Sequence, residues 1–64
     1  MKANYKVFEE LCKEKNVTPY RVAKDTGLNK TMMYHWEKGR YSPKVDKIMI
    51  LAKYFHVGLE RFYV

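Results

Sequence analysis

The sequence predicts an all-α domain of five short helices. Apolar residues recur at spacings of three and four along the chain, as they do on the buried face of an amphipathic helix. A residue pair that starts helices, Thr18 with Pro19, is followed by residues that end them, Gly27 and Gly39. No segment shows the apolar–polar alternation of a half-buried strand. The 64 residues leave room for one domain, spanning residues 1–64.

The first helix is predicted from Asn4 to Lys15. Charged residues lie on one face, and the other face carries the apolar residues Tyr5, Phe8, Leu11 and Cys12. Asn16 follows the helix, and Asn tolerates the left-handed conformation that is common just after helix ends. The segment is therefore an amphipathic helix with a defined end.

The second helix is predicted to begin at Pro19 and to end near Asp25. Thr18 supplies a hydroxyl that caps the first free N–H groups, and proline has a fixed φ that suits the first helical position. Gly27 stops the helix because glycine accepts a positive φ at no steric cost. Three residues separate Asp25 from Asn29, the next cap. Helices two and three must therefore cross at a steep angle.

The third helix is predicted from Lys30 to Lys38. Met33 and Trp36 lie three residues apart on its buried face, and Gly39 ends it. Its exposed face carries Lys30, Thr31, Tyr34, His35 and Lys38.

A basic and aromatic loop, with Arg40 and Tyr41, precedes the fourth helix. Ser42 followed by Pro43 repeats the earlier pair of cap and proline, which predicts that the helix opens there. The helix should continue to His56. Its buried stripe is predicted to be Val45, Ile48, Leu51, Ala52 and Phe55.

The fifth helix is predicted as a single turn from Gly58 to about Tyr63. Leu59 and Phe62 are placed to close the base of the core. Before it, His56 is expected to take a positive φ at the end of helix four, because His is enriched among the non-glycine residues with that conformation.

Charge is unevenly distributed along the chain. The net charge is +6, and residues 18–44 hold six basic and two acidic side chains, which accounts for +4 of the total. Both ends of the chain are nearly balanced. This excess favours a polyanionic partner for the middle segment, either nucleic acid or an acidic membrane surface.

Composition excludes several classes of protein. Cys12 is the only cysteine, so no internal disulfide forms and a reducing, cytoplasmic compartment is expected. Cys12, His35 and His56 have no neighbouring ligand that would complete a metal site. No stretch approaches the roughly 18 apolar residues of a membrane span. A chain this short has few side chains to spare for a substrate cleft, so we expect no enzyme, no cofactor and no small-molecule ligand.

The turn between helices two and three has a distinctive pattern. Ala23 stands four residues before Gly27, and the apolar side chains around the turn are Val22, Leu28, Met33 and Trp36. With this pattern, the segment from Pro19 to Lys38 resembles the helix-turn-helix motif of the Cro/C1-type repressor family. The similarity continues into Glu37–Pro43, Leu51–Ala52 and Val57–Glu60. It implies a lambda-repressor-like fold of five helices across nearly the whole chain.

The resemblance implies a protein that binds duplex DNA through its third helix. The side chains that it places in the major groove are Lys30, Thr31, Tyr34 and His35. Those that it places against phosphates, beside the free N–H groups at the start of helix four, are Arg40, Tyr41, Ser42 and Lys44. The neighbouring backbone contacts are assigned to Tyr20 and Lys24, and a further cation that displaces counterions is Lys38.

Three positions depart from the family's pattern. Pro19 stands where many members have a glutamine that binds phosphate, so that contact is lost or moves to Tyr20. Cys12 stands where relatives place an arginine that pairs with the residue matching Glu37, so Glu37 needs another partner or solvent. Gly58 replaces a serine or threonine cap, which weakens the start of helix five by roughly a few tenths of a kcal/mol.

The leading interpretation is a sequence-specific transcriptional regulator, a repressor of phage or mobile-element type that acts by occupying its site. A recognition helix of about nine residues touches only some four or five base pairs, which is too few to mark a unique site. We therefore expect a homodimer on a near-palindrome with half-sites about 10 base pairs apart. The subunit contact is predicted at the C-terminal end, at Tyr63 and Val64, with Tyr54 beside them.

Other functions stay open on the same fold. An antitoxin would bind a toxin as well as DNA and would need a second surface. A protein-interaction module that no longer binds DNA has no reason to keep its charge on the motif. RNA binding is less favoured, because modules that read RNA sequence generally stack bases on sheets. A DNA-binding domain cut from a longer repressor would share all these sequence features.

Overall fold

Residues 2–63, which the computed structural model describes, fold into four α-helices followed by a 3₁₀ helix and contain no strand. The elements are α1 (Tyr5–Lys15), α2 (Pro19–Thr26), α3 (Lys30–Glu37), α4 (Val45–Phe55) and the 3₁₀ helix (Leu59–Tyr63). The all-α class predicted from the sequence is confirmed. The count of five α-helices is wrong, because the last element winds more tightly.

The caps of α2 and α3 and the turn between these helices lie where the sequence predicts them. The Thr18 hydroxyl accepts a hydrogen bond from the Arg21 N–H at 3.1 Å, and the Asn29 side chain accepts one from the Thr31 N–H at 2.7 Å. These are the predicted caps of α2 and α3. Between the two helices, Gly27 has a φ of 78°. The tight turn therefore uses a conformation that glycine adopts without strain.

Three further helix ends lie at their predicted positions or within one residue of them. Asn4 caps α1 by accepting a hydrogen bond from the Lys6 N–H at 2.9 Å, so the helix itself begins one residue later than predicted. Asn16 and His56 follow α1 and α4 with φ values of 59° and 58°. Both are the left-handed residues that the sequence predicts at these positions.

The start of α4 differs from the prediction. Ser42 and Pro43 do not cap the helix, which begins at Val45 with Lys44 as its N-cap. Pro43 is buried, so packing holds it in the loop instead of in the first helical turn. Val45 is 51% exposed and does not belong to the predicted buried stripe. The other members of that stripe are buried: Ile48, Leu51, Ala52 and Phe55.

The C-terminal 3₁₀ helix is held by packing. Phe62 is fully buried, and Leu59 is partly buried against the core. Gly58, which precedes the helix, has no side chain with which to cap it. Tyr63 is also partly buried and packs on the core, while Val64 lies outside the described residues. Tyr63 therefore exposes less apolar surface than the sequence predicts at this end of the chain.

Aromatic rings fill the centre of the core. Phe8 stacks on Trp36 with ring centroids 5.3 Å apart and meets Phe55 edge-on at 6.0 Å. Tyr5 meets Trp36 edge-on at 5.2 Å. Such pairs add to the stabilisation from buried area. They join α1, α3 and α4 and fix which side of α3 is turned inward.

Cys12 lies on the buried face of α1. Burial raises the pKa of its thiol to about 11, so the reactive thiolate is scarce at neutral pH. The residue fills space in the core as a small apolar side chain, as the sequence predicts.

The N-terminal segment is fastened to two other parts of the fold. The Asn4 N–H donates to the Phe62 carbonyl at 2.7 Å, and the Trp36 indole N–H donates to the Ala3 carbonyl at 3.1 Å. These bonds hold Lys2 beside the loop that follows α3.

Candidate nucleic-acid interface

α3 presents one continuous outer face. The side chains at the i, i+3, i+4 and i+7 positions of this face are Thr31, Tyr34, His35 and Lys38. All are exposed except His35, which is partly buried. Trp36 points the other way and is only 4% exposed. The face opposite the core therefore carries hydrogen-bonding and aromatic groups with a cation at its end.

Lys30 begins α3 and turns toward α2. Its ammonium lies 5.1 Å from the ring centroid of Tyr20, which is 62% exposed. This is a cation–π contact. Lys24 of α2 is exposed and lines the same small groove. Three of the predicted site residues thus meet at the junction of α2 and α3, on one flank of the outer face.

A groove on the other flank brings His35 together with Arg40, Tyr41 and Lys47. The Arg40 N–H donates to the His35 carbonyl at 2.9 Å, so the loop folds back onto the end of α3. The His35 ring also meets the ring of Tyr34 edge-on at 5.5 Å. His35 is therefore held on the opposite flank from the lysine that begins the helix.

The loop after α3 leads into a cationic helix N-terminus. Lys44 is the exposed N-cap of α4, and among residues 2–63 no side chain caps the first N–H groups of this helix. Free N–H groups and the positive end of the helix dipole favour an anion at this position. Ser42 lies beside them and lines grooves with Arg40, Tyr41 and Lys44.

Two lysines that no sequence motif assigns join these groups. Lys2 lines the grooves that contain Arg40 and Lys44, and Lys47 lines the groove that contains His35. Only the bonds of the N-terminal segment and the helical phase of α4 place them here. We call the cations around the outer face of α3 the basic surface: Lys2, Lys24, Lys30, Lys38, Arg40, Lys44 and Lys47.

Two carboxylates lie in a groove beside this surface. Glu37 and Glu9 line a groove with Lys30 and Tyr5. In the described part of the chain the ion pairs are Arg21–Asp25 and Arg61–Glu14, and Glu37 is exposed to solvent. Burial, together with the charges of Glu37 and Glu9, raises the pKa of Tyr5 to about 12. The groove therefore carries charges of both signs, because Lys13 and Lys30 line it as well.

A hydrogen-bonded cluster braces the end of α2 against α4. Arg21 Nε donates to both carboxylate oxygens of Asp25, at 3.0 and 3.2 Å, and the Tyr54 hydroxyl donates to Asp25 Oδ2 at 2.7 Å. The bond from Tyr54, and then Arg21, hold the pKa of the Asp25 carboxyl below its ordinary value. The Tyr54 hydroxyl, predicted to lie near a subunit contact, is therefore engaged within its own chain.

Neither a metal centre nor a membrane span is evident in residues 2–63. Their His, Cys, Asp and Glu side chains form no group of three or more that would hold a metal ion. None of their helices combines the length and the apolar character that crossing a bilayer requires.

The fold and the basic surface together define a class of protein. Two helices joined by a tight glycine turn, the second with a polar outer face, form a helix-turn-helix. A helix-turn-helix family model matches residues 8–62, which is most of the chain. The chain therefore belongs to the Cro/C1-type helix-turn-helix family of DNA-binding regulators, and the resemblance noted in the sequence is confirmed. No curated protein and no solved structure matches it.

Proposed function

We propose that this protein is a sequence-specific transcriptional repressor that acts by occupying its site on duplex DNA. The observation that carries the proposal is the outer face of α3, which is flanked on both sides by the basic surface. Repression by occupancy needs only DNA binding. Our proposal is a cytoplasmic regulator of phage or mobile-element type.

The outer face of α3 enters the major groove. Thr31 lies in the first helical turn, which reaches base edges in helix-turn-helix complexes. Its methyl fits a thymine, and His35 donates to a purine N7. Lys30 leaves the Tyr20 ring to donate to guanine, because an exposed cation–π contact is worth only about 0.5–1 kcal/mol. Tyr34 packs between these groups.

The rest of the basic surface contacts phosphates, together with polar and aromatic side chains beside it. Arg40, Tyr41, Ser42 and Lys44 approach one strand, together with the uncapped N–H groups of α4. On the other side of α3, the phosphate contacts come from Tyr20 and Lys24. Lys2, Lys38 and Lys47 add charge without reading sequence.

The functional unit on DNA is a two-fold homodimer. Two recognition helices related by a two-fold axis lie about 34 Å apart when they enter successive major grooves. The site is therefore a near-palindrome with half-sites about 10 base pairs apart. A dimer reads enough base pairs to mark a unique site, which one α3 does not.

The proposal is tested by measuring duplex affinity across salt concentrations, followed by selection of preferred sites from a random library. With about 3 to 5 phosphates contacted per subunit, log K against log salt should fall with a slope near −0.9 per phosphate. A Lys6→Ala variant loses one charge on α1, outside the basic surface, and should keep the salt slope of the original chain. Affinity that does not respond to salt, or a selection that returns no preferred site, would overturn the proposal.

A second candidate is a protein-interaction role on the same fold, including that of an antitoxin. The observation that favours it is a set of exposed apolar side chains on α4, which lie outside the basic surface. This role alone, without DNA binding, would leave the basic surface unused. A protein that failed to shift any duplex at low salt would support this second role.

A further inference from the structure

A second exposed surface lies on the outer side of α4. Val45, Met49 and Ile50 are 51, 50 and 41% exposed, although they are large apolar side chains. Asp46 and Lys53 are exposed on the same helix. We call these five residues the α4 stripe. None of them belongs to the basic surface, and the fold does not cover them.

The stripe has a regular order along the helix. Asp46, Met49, Ile50 and Lys53 follow the i, i+3, i+4 and i+7 spacing that aligns side chains on one side of a helix. The acid therefore stands at one end, the base stands at the other end, and two apolar side chains lie between them. Val45 widens the apolar part on one side.

This order is self-complementary under a two-fold rotation. When two α4 helices lie antiparallel with the axis between residues 49 and 50, Met49 of one copy faces Ile50 of the other. Asp46 of each copy then faces Lys53 of the other, so both ends form opposite-charge pairs. A parallel arrangement would instead place like charges together. An interface in which one patch meets itself in this way is the kind that closes a two-fold dimer.

We propose that the α4 stripe binds the α4 stripe of a second copy of this chain and provides the subunit contact on DNA. The setting on DNA rests on the proposed function, whereas the contact itself does not. The order of charges favours a second copy as the partner, because the antiparallel arrangement forms an opposite-charge pair at both ends of the stripe. The negative charge of Asp46 disfavours a phosphate backbone as the partner of this stripe. At the C-terminal end, where the sequence predicts the contact, Tyr63 packs on the core and the Tyr54 hydroxyl already bonds Asp25.

The contact is small. Three half-exposed apolar side chains and two charges cover far less than the roughly 800 Å² that a standard interface buries on each partner. Free protein is therefore largely monomeric. Two adjacent half-sites raise the effective concentration of one copy near the other, so that pairing appears as cooperative binding to DNA.

Charge exchange tests the contact. Asp46→Lys and Lys53→Asp each place like charges at both ends of the dimer, so each should lower cooperativity on a two-half-site duplex by about tenfold, given the strength of exposed ion pairs. Mixing the two variants should restore cooperativity, because every pair in the mixed dimer is again of opposite charge. The double variant Asp46→Lys/Lys53→Asp should restore it as well.

The mixture and the double variant distinguish a loss of pairing from a loss of folding stability. Asp46 lies in the first turn of α4 and Lys53 in the last, so each charge interacts favourably with the helix dipole and stabilises the helix. The double variant is therefore the least stable of the set, and its recovery cannot arise from better folding. Glu10→Lys, an exposed change of equal charge on α1, controls for the added positive charge and should leave cooperativity unchanged.

Several outcomes overturn the proposal. They are single variants that stay as cooperative as the original chain, and a mixture or double variant that pairs no better than the single variants. Binding to a single half-site tests the proposed function separately and should persist in every variant. If the original chain bound no duplex, the proposed function would fail. Sedimentation of the free variants at high concentration would then test the contact. Self-association should be lost in the single variants and recovered in the mixture and in the double variant.

Discussion

α3 and α4 pack on the same core, but their outer faces differ. Both outer faces have side chains at the i, i+3, i+4 and i+7 positions. On α3 these are hydrogen-bonding, aromatic and cationic groups, whereas on α4 two apolar side chains lie between an acid and a base. The first face suits a polyanion with patterned edges, and the second suits a copy of itself. Helical spacing alone does not distinguish these roles, so the chemistry of the side chains must.

The largest effect is expected from a change that disrupts both faces together. Replacing Trp36 with Ala removes the ring contacts with Phe8 and Tyr5 and leaves the Ala3 carbonyl without its donor. The free energy of unfolding should fall by about 3–5 kcal/mol, much of the total for a small domain. Urea denaturation followed by circular dichroism measures the loss. An unchanged midpoint would show that α3 is not anchored through this ring.

A smaller effect is expected when only phosphate contacts are removed. Arg40→Ala and Lys44→Ala should weaken binding to all duplexes by similar factors, and each should reduce the salt slope by about 0.9. Cooperativity between half-sites should be unchanged, because the α4 stripe is intact. Fluorescence anisotropy at several salt concentrations measures both quantities. A change of preferred sequence in either variant would mean that the loop reads bases.

Changes in the α3 side chains proposed to contact base edges should alter the preferred sequence rather than the affinity for every sequence. Lys30→Ala and His35→Ala should each alter the preferred base at one or two positions, with a loss of discrimination of about 1–3 kcal/mol. Site selection with each variant, compared with the original chain, measures the change. Should both variants keep the original preference at every position, the recognition face would be wrongly assigned.

The smallest effect is expected at the contact between α2 and α4. Tyr54→Phe removes the hydrogen bond that lowers the pKa of Asp25. A carboxyl with a lowered pKa in the folded state stabilises the fold above its unfolded pKa, near 3.9, and this contribution is lost as the pH falls through the folded value. The variant should therefore melt slightly below the original chain at pH 7, and the gap should close in acid. Melting curves across pH test this, and a gap that widens in acid would contradict it.

Local signals predict most of the fold. Thr18, Asn29 and Gly27 act within a few residues of their own positions, so their roles as caps and turn are evident from the sequence. Ser42 and Pro43 carry the same local signal as Thr18 and Pro19, yet they do not start α4. The difference is tertiary, because Pro43 is buried in the loop. A local pattern does not reveal that competing contact.

The site is predictable where helical spacing or the family resemblance assigns its residues. The outer face of α3 follows from helical spacing and from the resemblance. Lys2 and Lys47 do not, because one is placed by hydrogen bonds that involve Ala3 and Asn4 and the other by the phase of α4. The exposure of Val45 depends in the same way on where α4 begins. Correct placement of all three residues required the packed structure.

The most direct test of the two faces is an NMR titration of the labelled protein, first with a duplex of one selected half-site and then with a duplex of two. With one half-site, amide signals should shift on the outer face of α3 and from Arg40 to Lys44, while those of Met49 and Ile50 stay in place. With two half-sites, the signals of the α4 stripe should shift as well. Shifts confined to α4 with one half-site, with α3 unaffected, would contradict the assignment of α3 to DNA and of α4 to a second copy.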